Sequence, residues 1–368
     1  MSHFDPGRLL RAKTRLGDAA IDPAIWPEIM QEICSAVGSV GAALLQSDVR
    51  TPDIPATAGV AEGFNSYFAN GWHNRDVRAE RAVPLLLGGV TVISDQDILT
   101  PNEMRRSAFY QEHLPGVGLR WFAVVGFQAG TALWGLSIQR TAAEGPFQLE
   151  DTRALGELAN RLTEVATLSK AVGGAVLAGM TNALNLVKQP ALALDRMGCV
   201  LEMNAAVERI FDAEICVRNR RLVVRDQSAK SQLDRLIDQL RVTADAAPLL
   251  VTPIVVPRRL QHPIIIRVLP VDSAARSPFL GARALLVLSD LNRSSTPQTD
   301  AMAKAFGLSP AEVRLAAIIA DGISPDQAAE HLGIARATAR NQLKSIFAKT
   351  NTHRQSQLVA LLSKMSQN

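Results

Sequence analysis

The sequence predicts a multidomain α+β chain: two α+β sensory domains, then an all-α module of four helices. Three observations predict it. Helix start and stop signals crowd the last sixty or so residues, strand-like runs alternate with helical ones upstream, and a polar break separates the two regions. At 368 residues the chain has room for two or three domains.

The first domain is placed at residues 1–170. An apolar helix over 25–37 leads into a strand at 41–45, and a second helix spans about 61–75. Thr100-Pro101-Asn102-Glu103 puts a hydroxyl three residues before a carboxylate with Pro at the first helical position, a capping box that opens a helix running to about His113. Two β-like runs, 119–127 and 132–139, flank Gln128-Ala129-Gly130 in hairpin fashion. A long helix begins near Glu150. Along it Leu155, Leu158, Leu162, Val165, Ser169 and Val172 alternate steps of three and four, the spacing of a coiled-coil seam, so a dimer contact is expected there. Gly173-Gly174 and Gly179 are expected to soften its end.

The second domain is placed at 181–291. Two short apolar runs flank an Asp195-to-Gly198 turn, and Asn204 is positioned to cap a helix ending near Phe211. Downstream come Leu222-Val223-Val224, a helix over about 230–240, and strands near 249–256, 263–269 and 282–289. Together they make a five-stranded antiparallel sheet with helices on one face. Residues 292–302, including the polar, Pro-containing Arg293-Ser294-Ser295-Thr296-Pro297-Gln298-Thr299, read as a linker.

The terminal module, 303–368, is the most legible part. Ser309-Pro310-Ala311-Glu312, Ser324-Pro325-Asp326-Gln327 and Thr352-His353-Arg354-Gln355 each carry the capping-box spacing. Gly322 and Gly333 stand where the first two helices must stop. A short helix closed by Gly333 and followed at once by another, 334–349, is a helix-turn-helix. From His331 onward there is no Asp or Glu, while Arg336, Arg340, Lys344, Lys349, Arg354 and Lys364 are present. The whole chain has a formal charge of +4, so without those six cations the remainder would stand at −2 and the basicity is local. A local basic face is the electrostatic footprint of a duplex-binding module. On the third helix, Ala339, Leu343, Ile346 and Phe347 form the stripe to be buried. Arg336, Arg340 and Lys344 recur at i, i+4, i+8 on the other side, with Thr338, Asn341 and Ser345 between them. Arg and Lys can read guanine edges, and Asn can bind adenine with two hydrogen bonds.

Residues 308–362 resemble the LuxR/GerE-type DNA-binding domain of bacterial transcription regulators. The resemblance rests on Glu312, Gly322, Leu332-Gly333-Ile334, Thr338 and Lys349. It implies that Arg340, Asn341 and Lys344 face base edges. It also implies that Thr338 and Lys349, flanked by Arg336 and Arg354, meet phosphates. The chain departs from the family pattern at Ala328 and Ala339, where larger aliphatics are usual. Ala335 replaces a Ser cap, and Thr350-Asn351 replaces a Leu-Gly pair. The first domain is similar to GAF and PAS sensors in layout, with residues 92–125 resembling sensor segments of some LuxR-type regulators. The Asp-Gly-Asn pattern after Pro190 resembles the opening of a PAS domain.

A sequence-specific, dimeric, cytoplasmic transcription regulator is therefore expected, with double-stranded DNA and RNA polymerase as partners and a small molecule or other intracellular signal as its input. No membrane partner is expected, because no apolar run reaches eighteen residues. The aromatics gather in the first domain although the chain is only 5% aromatic, and Tyr67, Trp72, Asp76 and Trp121 are the candidate ligand-pocket residues. Two alternatives stand beside this reading: an acyl-homoserine-lactone quorum-sensing receptor, and an adaptor using the helix-turn-helix as a docking surface. Phosphate-loop, zinc-protease and serine-hydrolase motifs are missing, so no enzymatic activity, catalytic residue or metal site is expected. Nothing selects a flavin or haem, and no cofactor is expected. The cysteines Cys34, Cys199 and Cys216 lack metal-site spacing and are expected to be reduced.

Overall fold

A computed structural model describes residues 4–47, 52, 54–242, 252–291 and 299–366. The chain divides into two compact units, residues 1–258 with 264–289, and 259–263 with 290–368.

The first unit opens with helices α1 (Pro6–Arg15) and α2 (Trp26–Ala36), followed by strand β1 (Gly41–Gln46). Then come α3 (Ala58–Ala69), α4 (Val77–Leu87), β2 (Val92–Ser94), α5 (Asp95–Ile98) and α6 (Pro101–Arg106). The expected capping box at Thr100 and Glu103 opens α6, but the helix does not run straight to His113. It breaks at Ser107 into a π-helical turn, Phe109–His113, and the short α7 (Leu114–Gly116). Strands β3 (Trp121–Ala129) and β4 (Ala132–Arg140) form the expected hairpin, in strict antiparallel register from Trp121↔Arg140 to Ala129↔Ala132. The four strands order as β1-β4-β3-β2.

Both faces of this sheet are covered, which is why β3 and β4 read as near-continuous apolar runs. Ala123, Val125, Phe127, Trp134, Leu136 and Ile138 pack with Leu9 and Ala12 of α1 and with Trp26, Ile29 and Ile33 of α2. Phe122, Val124 and Leu133 point the other way and pack with Val60, Tyr67, Ala82, Leu86, Phe109 and Tyr110. Alternate residues of each strand thus serve opposite cores, the period-two consequence of the pleat.

Helix α8 (Leu149–Gly156) and the 28-residue α9 (Ala159–Leu186) follow. Here the structure corrects the expected dimer seam. Leu155, Leu158, Leu162 and Val165 are at most 1% exposed and belong to the first core. Ser169 hydrogen-bonds Ser277 through their hydroxyls at 2.8 Å, within the same unit. The seam spacing is that of a helix packed on its own sheet. Nor does Gly173 soften the helix: α9 runs unbroken through it, and a Cβ there would lie 2.7 Å from the Ala274 carbonyl oxygen. Glycine at 173 permits close approach of α9 to the short turn Ser273–Arg276.

Next come β5 (Ala191–Asp195), β6 (Val200–Met203), α10 (Ala205–Glu208), the hairpin β7 (Ile215–Arg218) and β8 (Arg221–Val224), and α11 (Gln227–Val242). Strands β9 (Ile254–Val256), β10 (Ile264–Pro270) and β11 (Ala282–Asp290) complete a sheet ordered β6-β5-β11-β10-β9. Positions 249–251 of the expected third-from-last strand lie outside the described residues. Asn204 caps α10 as expected, accepting from Val207 N at 3.0 Å, and its amide also donates to the Gln189 and Thr181 carbonyls. Strands β7 and β8 stand apart as their own two-stranded sheet. Phe279, three residues before β11, joins this part to the first core: it lies edge-on to Trp134 at 5.0 Å, Trp26 at 5.5 Å and Phe127 at 5.9 Å.

The second unit contains α12 (Thr299–Phe306), α13 (Pro310–Ala320), α14 (Pro325–Leu332), α15 (Arg336–Thr350) and α16 (Gln355–Ser366). The expected linker falls largely on 292–298, outside the described residues. From Thr299 the chain is already helical, so five helices replace the four expected, Met302 joining the module core.

Candidate nucleic-acid interface and sensor cavity

The local chemistry of the second unit fixes its helices. Ser309 and Glu312 form one capping box and Ser324 and Gln327 another, each with Pro at the helix start. The third expected box does not form. The Thr352 hydroxyl turns inward to that of Thr350 at 2.9 Å, leaving Arg354 before the first helical residue of α16. Gly333, at φ 63°, closes α14 in the left-handed conformation. Asn351 does the same for α15 at φ 52°, so the departure from a Leu-Gly pair keeps its conformation because Asn tolerates that region. Ala335 precedes α15 with no side-chain cap, as its methyl dictates.

Helix α15 buries Ala339, Leu343 and Ile346 against α13 and α14, where Ala316, Ala328 and Ala329 sit with 1% exposure or less. The two alanines that replace larger aliphatics, Ala328 and Ala339, are thus fully enclosed. Its solvent face exposes Arg336, Arg340 and Lys344 in one row, with Asn341 and Thr338 further round the helix and Lys349 and Arg354 exposed beyond it. Every residue expected to contact DNA is therefore on the surface.

Three of these cations carry partners that spacing within α15 does not reveal. Arg336 pairs with Glu330 at 3.0 Å and Arg340 with Asp326 at 3.3 Å, both acids on α14. Lys349 bonds Glu312 Oε2 at 2.7 Å, Ser345 donates to Oε1 at 2.6 Å, and Ser309 N donates to Oε2 at 2.7 Å. Burial alone would raise the Glu312 pKa. The bonds from Lys349, Ser345 and Ser309 overcome that and hold it at about 2. Glu312 is a tie between α13 and α15 as well as half of a capping box. Lys344 and Arg354 have no ion-pair partner among the described residues.

A second site lies in the first unit, on the α3–α4 face of its sheet: a cavity of about 110 Å³. Phe64, Tyr67, Phe68, Phe109, Phe122 and Leu133 are among its apolar lining, with Gln46, Ser47, Asp76, Arg78, His113, Ser137 and Gln139 as polar residues. Of the four candidates from sequence, Tyr67 and Asp76 line it. Trp72 stacks on His113 at 5.4 Å just outside, and Trp121 at the start of β3 lies under Arg120.

The polar groups are largely bonded to one another. The Tyr67 hydroxyl donates to Asp76 Oδ2 at 2.8 Å, while Asp76 Oδ1 caps α4 by accepting from Arg78 N and Ala79 N. Arg78 is 4% exposed. Its guanidinium donates to Asp95 and to the Tyr110 hydroxyl at 2.9 Å, to Gln139 at 3.2 Å and to the Arg120 carbonyl at 2.8 Å. Asp95, fully buried, also accepts from Tyr110 and from Phe122 N at 2.6 Å. Burial opposes the Arg78 charge, but Asp95 and Tyr110 more than offset it. Burial likewise pushes the Tyr110 hydroxyl up, so it stays protonated as a donor. Burial holds His113 below the usual histidine range, Arg78 acting in the same direction and Asp76 against it. Gln139 donates to Ser137, whose own proton has no acceptor among the described residues.

Sequence reading missed Arg78, Asp95 and Gln139. The signal for the first was present: Asp76 before a helical run is an N-cap, and it would have announced α4. The other two, Asp95 and Gln139, reach the site from α5 and β4, joined only by the fold.

Among the described residues no group of three or more His, Cys, Asp or Glu could hold a metal ion, and no helix is long and apolar enough to cross a membrane. Cys34, Cys199 and Cys216 are free thiols.

No protein-family model and no curated protein matches the chain. Among solved structures, the phage VqmA–DPO complex aligns with 14% identity over 53% of this chain and 91% of that one, at a TM-score of 0.21. The E. coli DhaR(N)–DhaL complex aligns with 12% identity over 76% and 87%, at 0.22. Neither score amounts to a shared overall fold.

Proposed function

We propose that the chain is a sequence-specific DNA-binding transcription regulator that acts as a dimer and answers a small-molecule signal. The observation that carries the proposal is the exposed row on α15. Arg336, Arg340 and Lys344, with Thr338 and Asn341 further round, are exposed on a helix whose other side is fully packed. A rigid helix with an exposed edge of Arg, Asn and Lys matches the donor and acceptor pattern of a major groove. The LuxR/GerE-type resemblance supports the same assignment, with Arg340, Asn341 and Lys344 toward bases and Thr338 and Lys349 toward phosphates; the exposed Arg336 and Arg354 beside them are assigned to phosphates too. Dimerisation belongs to the proposal because paired half-sites call for a two-fold protein, but the buried seam of α8 and α9 is excluded as the interface.

The test is duplex binding by the intact chain across a salt series, using a site selected from random DNA. The logarithm of the affinity should fall with the logarithm of salt by about 0.9 for each neutralised phosphate. Salt-independent binding, or no binding, would count against it.

The cavity supports the signalling half. With the Arg78 charge spent on Asp95 and Asp76 engaged by Tyr67 and the α4 N-terminus, the wall offers no unmatched charge to an ion. The effector it suits is uncharged and largely apolar, with an acceptor for the Ser137 hydroxyl. About 110 Å³ approaches the size of engineered cavities that take up benzene. Whether one of the PAS-like and GAF-like domains or both take part in sensing, the response requires that the effector bind two conformations unequally. Native mass spectrometry of the purified chain checks stoichiometry and retained ligand together: an uncharged small molecule on a dimer is expected, and a charged one would refute this description of the cavity.

A further inference from the structure

Two rungs of opposite charge join α14 to α15. Asp326 and Glu330 are four residues apart on one helix, Arg336 and Arg340 four apart on the next, so each pair shares a helix side. The turn at Gly333 brings the two sides together, Glu330 to Arg336 and Asp326 to Arg340. All four side chains stay open to solvent, from 43% for Asp326 to 69% for Arg340. Ion pairs this exposed contribute little to folding. Their effect is on the field in front of the helix: two carboxylates sit inside the cationic row.

That field treats two kinds of acceptor differently. A DNA phosphate approaching Arg340 also approaches the Asp326 carboxylate, anion to anion. Guanine N7 and O6 are neutral acceptors and meet no such repulsion, yet they can take both hydrogen bonds of an arginine fork. We propose that Asp326 and Glu330 are specificity-determining residues, which weaken the pull of Arg336 and Arg340 on generic phosphate and release Arg340 to a neutral bidentate base edge. The proposal rests on the DNA-binding reading above. It assigns the indiscriminate attraction to Arg354, a phosphate-facing cation without an ion-pair partner among the described residues. Discrimination of this kind comes from penalising the wrong partner as well as favouring the right one.

The test uses the full-length Asp326→Asn/Glu330→Gln double variant and, as a charge-keeping control, Asp326→Glu. Each is titrated with the duplex selected by the wild-type chain and with a scrambled duplex, across a salt series. For the double variant, binding to the scrambled duplex should tighten by up to about eightfold per released arginine near 0.1 M salt, with a log–log slope steeper by about 0.9 per charge. The selected duplex should gain less, so that the specificity ratio falls by roughly threefold or more. Asp326→Glu should keep the wild-type ratio. Equal gains on both duplexes, or no change on either, would overturn the proposal. If the wild-type chain itself shows no salt-dependent duplex binding, the DNA reading fails first and takes this one with it; that outcome is visible before any variant is made.

Discussion

Arg78 and Arg340 are both arginines beside an aspartate, and they do opposite things. Arg78 is buried, its guanidinium divided among Asp95, Tyr110, Gln139 and the Arg120 carbonyl. Arg340 keeps 69% of its side chain in solvent and meets one acid at 3.3 Å. Taken out of water, a charge must be fully paired, and the network around it becomes part of the fold. Left in water, a charge stays available for exchange, and its partner only biases what it will exchange for. The contrast separates a charge that shapes a cavity from a charge left open to solvent.

The comparison breaks most easily at Asp95. Asp95→Ala leaves the Arg78 charge buried without its anion and should cost roughly 3–5 kcal/mol in urea unfolding. Asp326→Ala, across the exposed pair, should stay within about 0.5 kcal/mol. Similar losses at both positions would mean that water reaches Arg78.

Phe279 sharpens the comparison from inside the first unit. It enters a core otherwise built from the first sheet and its helices, against Trp26, Phe127 and Trp134. Phe279→Ala removes a ring from three edge-to-face contacts and should cost roughly 3 kcal/mol. It should also separate the unfolding of the two sheets, so that tryptophan fluorescence, which reports the first, and circular dichroism no longer coincide. Coincident transitions would place the coupling in α9 and the Gly173 contact instead.

How much of this was readable in advance follows from how local each signal is. The capping boxes at Ser309, Ser324 and Thr100 are made by four consecutive residues, and they formed where the spacing placed them. The box at Thr352 failed although its letters were right, because Thr350 offered a buried hydroxyl partner two residues away. The seam on α8 and α9 was seen correctly as a stripe and assigned to the wrong neighbour, since spacing states that a face is buried and not against what. The α14–α15 rungs were hidden for a related reason. Counting acids from His331 onward leaves out Asp326 and Glu330, which lie just before the turn that folds them onto α15. In the first unit, Arg78, Asp95 and Gln139 are tens of residues apart and meet only once β2, β3 and β4 have paired.

On the reading face itself the expected effects are smaller. Arg340→Ala or Lys344→Ala should cost about 1–3 kcal/mol on a selected duplex and relax base preference. Lys349→Ala should weaken all duplexes alike, because its bond to Glu312 leaves it at the edge of the row. It should also lower module stability, which the other two should not. Equal, sequence-blind losses from all three would put the reading edge elsewhere on α15.

The smallest effect is also the most diagnostic of how α15 is held. The Glu312 carboxyl lies at about 2 in the folded chain, below its ordinary 4.5. A depressed carboxylate stabilises the fold fully above its unfolded value and loses that contribution as pH falls through the folded one. Stability of the second unit should therefore decline from about pH 4.5 toward 2 by a Glu312-dependent amount. Lys349 is 38% exposed and its bridge is screened, so that amount should be on the order of 1 kcal/mol. Glu312→Gln keeps the shape of the capping box but cannot ionise, so the difference in unfolding free energy between wild type and variant should shrink across that window. A difference that stays flat with pH would show that Glu312 holds α15 by hydrogen bonding alone, and Lys349 would then be as free for phosphate as Arg354.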